Sequence, residues 1–417
     1  MGKTLAEKIL SNKAGVDAKA GDIVIAPVDL TFTHDVSGPL TIREIKESGK
    51  SLANPKATVF FLDHCTPSPR QELSNDQMFV RNFALEQGSP LYEVGDGICH
   101  QLTAEDWANP GDIICGGDSH STTAGALCAF ATGMGSTDIA MAMVLGKTWL
   151  RVPETFLIKM KGQFPKGVYG KDLILHIIGM LGADGATYKS LEFVGHAIET
   201  MSMSQRLTVA NMTVEAGAKA GLFPADDVTQ EYLKARGRGD RYQKLSADPG
   251  AVYERVIEID AQKMVPMVAK PHTVDNVAPV SEVEGTKINQ VFIGSCTNAR
   301  LEDLAVAASI LDGKKTHRQT RLIIVPASRS VYLEAVNKGY ISTLVKAGAS
   351  VESPNCGACG GVHMGILGDG EVCLATTNRN FKGRMGNPKS FIYLASPATA
   401  AASAIAGEIT RPQKFIP

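Results

Sequence analysis

Short apolar runs alternate along this chain with segments whose apolar residues recur at helical spacing. In the first third, the runs that predict β-strands are residues 23–25, 57–62, 91–94 and 113–115. Residues 74–87 have the spacing of a helix. Towards the C-terminus the alternation resumes, with strand-like runs INQVFIG, RLIIVPA, ASVES and VCLATT between helical segments. This order favours an α/β fold built on parallel sheets.

Four other segments have less regular patterns. Residues 1–10, MGKTLAEKIL, read as the start of an amphipathic helix rather than a secretory signal. Residues 121–145 are small and apolar but include Asp138, which predicts a buried helix and argues against a membrane span. Residues 271–283, rich in Pro and Val, predict a linker, and residues 329–348 predict one helix.

Length and composition narrow the class of protein. A chain of 417 residues is expected to form two to three domains, here predicted at 1–150, 151–280 and 281–417. A composition of 44% hydrophobic and 20% charged residues is typical of a soluble globular protein. The net charge of −1 provides no general attraction for nucleic acid or membrane. Eight cysteines without a signal peptide indicate a reducing compartment, the cytoplasm, rather than a disulfide scaffold.

Three cysteines lie where parallel strands are predicted to end. Cys296 follows INQVFIG, and Cys356 and Cys359 follow ASVES. In parallel sheets the ligand crevice lies beyond the carboxyl ends of the strands, so these thiols are expected to gather there. The loop NCGACGG lets the backbone wrap closely round a bulky group and direct N–H donors at sulfur. Four thiolates would ligate every iron of a cubane cluster. Three thiolates leave one iron free for substrate.

Other interpretations of these cysteines remain open at this stage. They are a buried redox pair, inert core thiols, or part of a zinc site with His363 as its fourth ligand. The remaining cysteines are expected to be structural: Cys65, Cys99, Cys115, Cys128 and Cys373.

Six motifs spread along the chain resemble those of the aconitase superfamily, in the branch that has a separate small subunit. They are DHCTPSP, GDSHSTTAGAL, NMTVEAGAKAG, GSCTNAR, NCGACGG and TTNRNFKGR. The resemblance implies three α/β/α domains around a central cleft, and a [4Fe–4S] cluster held by Cys296, Cys356 and Cys359 with one iron not ligated by cysteine. It also implies that the swivelling fourth domain is a separate small subunit, which supplies the base and specificity residues. We therefore expect this chain alone to be inactive or nearly so.

The resemblance implies roles for two segments that contain histidine. Asp63 and His64 match the pair that protonates the departing hydroxyl, and Asp118, Ser119 and His120 match a triplet lining the site. Histidine paired with a carboxylate is a usual proton donor near neutral pH. Without the motif, His64 reads equally well as a structural histidine, and Asp118 as a helix N-cap. A helix N-terminus directed at the site also favours a bound carboxylate.

Four further residues are assigned by the same resemblance. Asn211 and Glu215 match residues near the open iron, and Arg379 and Arg384 match arginines that hold substrate carboxylate. The planar guanidinium fork suits a carboxylate better than lysine does. A solvated basic loop is the alternative interpretation of the two arginines.

The remaining histidines are of two kinds. His34 and its neighbour Asp35, in THDVSGPL, are expected to line the cleft and bind substrate. The others are read as structural or exposed: His176, His196, His272 and His317.

The activity implied by the resemblance is that of a hydro-lyase. It converts 2-isopropylmalate into 3-isopropylmalate through the dehydrated alkene, in leucine biosynthesis. Homoaconitase and dimethylmalate or citraconate hydratase are alternatives within the class. An iron-responsive RNA-binding protein is the alternative of another class, and the near-neutral charge without a basic stripe argues against it.

Overall fold

A computed structural model describes residues 2–416 of the chain. The strands are β1 (Ile23–Pro27), β2 (Leu30–His34), β3 (Thr58–Phe61), β4 (Leu91–Tyr92), β5 (Ile113–Gly116), β6 (Phe130–Gly133), β7 (Lys147–Arg151), β8 (Thr155–Lys161), β9 (Ser190–Val194), β10 (Ala220–Leu222), β11 (Arg255–Asp260), β12 (Met267–Ala269), β13 (Val277–Pro279), β14 (Gln290–Ile293), β15 (Arg321–Ile324), β16 (Ser350–Val351), β17 (Val372–Ala375) and β18 (Phe391–Ala395).

The helices are α1 (Leu5–Ala14), α2 (Gly38–Glu47), α3 (Gln71–Gln87), α4 (Cys99–Asp106), α5 (Ser136–Leu145), α6 (Gly170–Leu181), α7 (His196–Glu199), α8 (Met203–Met212), α9 (Asp227–Ala235), α10 (Val280–Val283), α11 (Leu301–Leu311), α12 (Arg329–Asn337), α13 (Tyr340–Ala347) and α14 (Pro397–Ala406). None of the helices within residues 2–416 has the length and apolar character needed to cross a bilayer.

Three largely parallel sheets organise these elements, as the α/β pattern predicts. The first has the order β4-β3-β2-β5-β6 and the second β10-β9-β8-β11, and every pairing in both is parallel. The third has the order β13-β12-β18-β17-β14-β15-β16, in which only the pairings of β12 are antiparallel. Strands β1 and β7 form a separate antiparallel ribbon. The α/β fold class is confirmed.

One hydrophobic cluster joins the three sheets. Phe32 of the first sheet, Phe193 of the second and Phe292 of the third are fully buried members of it. Burial of each such side chain stabilises the fold by roughly 1.5–3 kcal/mol. The shared core fixes the carboxyl ends of strands from different sheets close to one another.

The predicted domain boundaries stay predictions. Strands β12 and β13 precede residue 280, yet they pair with β18 in the third sheet rather than with the second. The prediction of a linker over residues 271–283 is wrong, because this stretch contains β13 and α10. Its Pro279 ends a short antiparallel edge strand, a position where the missing N–H of proline is tolerated.

Two predicted helices are divided. Residues 121–145 do not form one helix: a 3₁₀ helix, Ser119–Leu127, is followed by β6 and then by α5. Cys128, in the left-handed conformation, ends the first element, and the next residues pair with β5. Residues 329–348 form α12 and α13, because Gly339 at φ 75° breaks the helix.

Candidate active site

The ends of several parallel strands carry the polar residues of the site. His34 ends β2, and Asp63 and Asp118 follow β3 and β5. Cys296 follows β14 and Arg379 follows β17 in the third sheet. Because β2, β3 and β5 are parallel neighbours, as are β14 and β17, these residues lie at the carboxyl edges of their sheets.

The three predicted ligand cysteines are buried and connected to each other. The thiols of Cys356 and Cys359 interact so closely that each shifts the pKa of the other, upward for Cys356 and downward for Cys359. The side chain of Asn378 joins Cys359 to Cys296, since its Nδ2 lies 3.3 Å from Sγ of Cys296 and its Oδ1 lies 3.5 Å from Sγ of Cys359. Two loops of the third sheet thus bring three sulfurs to one place.

Further donors point at the same sulfurs. Nδ2 of Asn211 donates to Sγ of Cys296 over 3.1 Å, and Nη2 of Arg384 donates to Sγ of Cys359 over 3.2 Å. Burial raises the pKa of Cys296 to about 12, and the negative charge of Cys359 contributes to the same shift. The hydrogen bond from Cys356, together with the charge of Arg384, holds the pKa of Cys359 well below its usual range. Such donors stabilise thiolate, the form that ligates metal.

The loop around Cys356 and Cys359 depends on glycine. Gly357 and Gly361 have φ of +66° and +62°, a conformation that other residues rarely adopt. A Cβ on Gly361 would lie 2.2 Å from the backbone N of Gly386. Buried thiols, directed donors and a close-fitting backbone together suit a bulky inorganic group. The residues present therefore fit an iron–sulfur cluster.

Asp63 and His64 form a buried pair. Nδ1 of His64 lies 2.8 Å from Oδ1 of Asp63, a contact between adjacent residues that requires a bent loop rather than an extended strand. Although burial opposes both shifts, the pair's mutual attraction lowers the pKa of Asp63 to about 2 and raises the pKa of His64 to about 10. His64 is therefore an imidazolium at neutral pH.

Two other interactions hold the His64 loop in place. The carboxylate of Asp35 accepts from the backbone N of His64 and of Cys65, both over 2.9 Å. The second oxygen of Asp63 accepts from the N of Cys99 over 2.7 Å. Asp35 thus acts on the loop backbone, whereas sequence reasoning placed it in the cleft against substrate.

Asp118 is the centre of a histidine cluster. Its Oδ1 lies 2.8 Å from Nε2 of His100, and its Oδ2 lies 3.4 Å from Nε2 of His34 and 3.6 Å from Nε2 of His64. It also accepts from the N of His120 over 2.7 Å, as the predicted N-cap. Burial alone raises the pKa of Asp118, but the neighbouring histidines, His100 foremost, hold that pKa well below its usual range.

Glu215 joins the second sheet to the same cluster. Its Oε1 lies 2.6 Å from Nε2 of His120 and accepts from Nε of Arg379 over 2.9 Å. Burial opposes the shift, yet these partners lower the pKa of Glu215, and Asp118 and Glu215 raise the pKa of His120. Ser119 lies beside His120, with Oγ 3.4 Å from Nδ1.

All of the predicted site residues lie in this one region. The backbone N of Cys356 donates to the carbonyl of Asp63 over 2.8 Å, which ties the cysteine loop to the histidine cluster. The ligand atoms of His100, His120 and Cys296 all lie within 4.8 Å of one another. The individual roles of these residues stay predictions.

Sequence reasoning missed two residues that touch the centre of the site. Asn378 lies within TTNRNFKGR beside Arg379, so the motif contained the signal. His100, in GICHQL, belongs to none of the six motifs, and only the fold reveals its contact with Asp118. His363, the alternative zinc ligand, is absent from both groups of potential metal ligands found among residues 2–416, and its ring nitrogens are buried without a partner there.

Comparison with known proteins agrees with this geometry. The profile of the Aconitase family (aconitate hydratase) matches residues 7–407. The 3-isopropylmalate dehydratase large subunit of Elusimicrobium minutum is 60% identical over 417 residues, covering 100% of both chains. Its counterpart named large subunit 1 in Thermotoga maritima is 56% identical over 419 residues, again covering 100% of both.

A solved structure shares the fold. The holo form of aconitase X from Thermococcus kodakaraensis superposes with a TM-score of 0.52 at 15% identity, covering 85% of this chain and 84% of that one. The family match and the full-length relatives confirm the resemblance carried by the six motifs. A family match over almost the whole length, on a fold that gathers the motif residues, shows that this chain belongs to the aconitase family.

Proposed function

We propose that this chain is the cluster-binding large subunit of a hydro-lyase that interconverts 2-isopropylmalate and 3-isopropylmalate by dehydration and rehydration. The observation that carries the proposal is the gathering of three buried thiols, two of which are joined by Asn378, beside the buried His64–Asp63 pair. The names of the full-length relatives support the choice of substrate. This reaction belongs to leucine biosynthesis.

The cofactor of the family is a [4Fe–4S] cluster. Cys296, Cys356 and Cys359 would hold it, leaving one iron without a cysteine. When bound, the cluster supplies a Lewis acid that draws negative charge from the substrate hydroxyl. The fit rests on the donor set and on the glycine-rich loop at residues 357–361.

His64 is the proton donor of the proposed reaction. Expelling hydroxide requires an acid that is protonated at working pH and positioned by a partner. Asp63 holds Nδ1 of His64, so Nε2 is the nitrogen that gives up its proton to the departing hydroxyl. His34 stacks on the ring of His64 with centroids 3.9 Å apart, which restrains the direction of Nε2.

Two arginines have unused donors for a substrate carboxylate. Arg379 uses Nε to bind Glu215, and no described residue accepts from its two Nη groups. Nε of Arg384 is buried and has no partner among residues 2–416. A buried donor without an acceptor is costly, and a carboxylate would satisfy it.

The active enzyme is proposed to need a small subunit. The relatives are named large subunits, which implies a second chain. That chain would supply the base and the residues that recognise the isopropyl group.

All eight cysteines of this chain are free thiols, as the cytoplasm allows.

The test is an anaerobic assay of the reconstituted chain with and without a small subunit from the same organism. Proton NMR would follow 2-isopropylmalate, the alkene and 3-isopropylmalate. We expect interconversion only when both chains are present. Full activity of this chain alone would contradict the two-subunit proposal, and turnover of homocitrate or dimethylmalate instead of 2-isopropylmalate would contradict the substrate.

A further inference from the structure

Lys171 is a fully buried lysine beside the cysteine loops. It is the second residue of α6, and only 1% of its surface is exposed. Its Nζ donates to the carbonyl oxygens of Thr376 and Thr377, each over 2.6 Å. These two residues directly follow β17 and precede Asn378. The ammonium therefore holds the turn that presents Asn378 to the cysteines.

No carboxylate among residues 2–416 is in ion-pair contact with this ammonium, although the charges of Asp303 and Asp172 raise its pKa. The two carbonyls use only two of its three donors. The carboxylate of the adjacent Asp172 accepts instead from the N of Met267 over 2.8 Å and of Tyr169 over 2.9 Å. A cation in the first turn of a helix is also disfavoured by the helix dipole. A buried charge in this position needs compensation from elsewhere.

The ligand cysteines raise the pKa of Lys171 more than any carboxylate does. Burial lowers the pKa of Lys171 to about 7, and the groups that oppose this most are Cys296 and Cys359. The same turn is also tied to the Cys296 loop, because Oγ1 of Thr376 accepts from the N of Gly294 over 3.0 Å. Three thiolates make a ligated cluster a net anion, and net charge is one of the factors that set its reduction potential.

We propose that Lys171 is a positioning residue and the buried counter-ion of the cluster, fixing the Thr376–Thr377 turn and balancing the charge of the thiolates. This inference rests on the cluster of the proposed function. It assigns to Lys171 a charge that a bound cluster compensates further than the free thiols do. Replacing Lys171 should therefore affect the holoprotein and the apoprotein differently.

The test compares wild type with Lys171→Met, which keeps the length of the side chain and removes the charge. Both are reconstituted anaerobically, and iron and sulfide are measured before an EPR-monitored redox titration. We expect the midpoint potential of Lys171→Met to fall by at least about 59 mV, a tenfold change in the one-electron equilibrium constant. An unchanged potential would overturn the inference.

Thermal unfolding of apo and holo forms provides a second readout. We expect Lys171→Met to lower Tm more in the holoprotein than in the apoprotein, which lacks the charge of the cluster. An equal loss of Tm in both forms would show a purely structural role. If Lys171→Met fails to retain a cluster, Lys171→Arg decides: retention by the arginine variant supports the charge assignment, and loss by both overturns it.

Lys219→Met is the matched control. Burial also lowers the pKa of Lys219, but its charged neighbours are Cys115 and Asp138 rather than the ligand cysteines. We expect its cluster potential to equal that of wild type, and a shift as large as that of Lys171→Met would overturn the assignment. The iron and sulfide content of wild type separates failure of the proposed cluster from failure of this inference.

Discussion

Nδ2 of Asn378 lies 3.3 Å from Sγ of Cys296, although the two residues follow different strands of the third sheet. Strands β14 and β17 are parallel neighbours, so their ends are brought together by the sheet itself. The other end of the amide reaches Cys359. The carboxyl edge of one sheet thus forms both the ligand set and the hydrogen bonds that support it.

Loss of the Asn378 amide should loosen the cluster. For Asn378→Leu we expect cluster loss to a chelator to be about tenfold faster than in wild type, consistent with one hydrogen bond to a charged group at about 1.5–3 kcal/mol. The bleaching of cluster absorbance under anaerobic conditions measures it. Asn380→Leu is the control, because Asn380 is a buried amide of the same segment that binds only backbone carbonyls. Equal rates in the two variants would contradict a specific role.

Gly361 should be intolerant of a side chain. In Gly361→Ala the new Cβ would meet the backbone of Gly386 at 2.2 Å, and the φ of +62° adds strain, so we expect low cluster content. Gly360→Ala is the matched control, since the nearest atom to its Cβ would be a Val362 methyl at 3.5 Å. Iron and sulfide analysis after identical reconstitution compares them. A full complement in Gly361→Ala would show that the loop does not need this close approach.

Arg384→Lys should weaken substrate binding while keeping the charge. The planar guanidinium of Arg384 donates to Cys359 through Nη2, and its buried Nε remains available to a carboxylate. Lysine has no such fork. We expect kcat/KM of the assembled enzyme to fall about tenfold to hundredfold, the equivalent of roughly 1–3 kcal/mol. Lys382→Arg, an exposed change in the same loop, is expected to match wild type. Unchanged kinetics in Arg384→Lys would remove this residue from substrate binding.

The pH profile should report the His64–Asp63 pair. Asp63 and the other acids raise the pKa of His64 to about 10 against burial, so the stability that the imidazolium adds is fully present below its ordinary 6.5 and is lost as pH rises through about 10. If His64 is the acid, kcat/KM also falls as the pH rises through about 10, because His64 loses its proton there.

Asp63→Asn keeps an acceptor for Nδ1 but removes the charge, and we expect the alkaline limb to move towards neutral pH. Asp240→Asn, at an exposed site, serves as the control. An alkaline limb at the same pH in wild type and Asp63→Asn would contradict the assignment of His64 as the acid.

Periodicity and motifs predicted much of this arrangement for identifiable reasons. Strand ends are readable because apolar runs stop at polar residues, which placed Cys296 and Asp63 at sheet edges. The contact between His100 and Asp118 was not readable, because it depends on how α4 packs against the first sheet. The division of residues 121–145 was missed since small apolar residues suit a buried strand as well as a buried helix. The role of Asp35 depends on loop backbone donors, which no side-chain pattern reveals.

The cluster held by three cysteines is tested most directly by iron and sulfide analysis with EPR, after anaerobic reconstitution of wild type and Cys296→Ser. We expect about four iron and four sulfide per wild-type chain, with a signal lost or strongly changed in Cys296→Ser. Wild type that binds no cluster, or Cys296→Ser that retains the same cluster and spectrum, would contradict a cubane held by the three buried thiols.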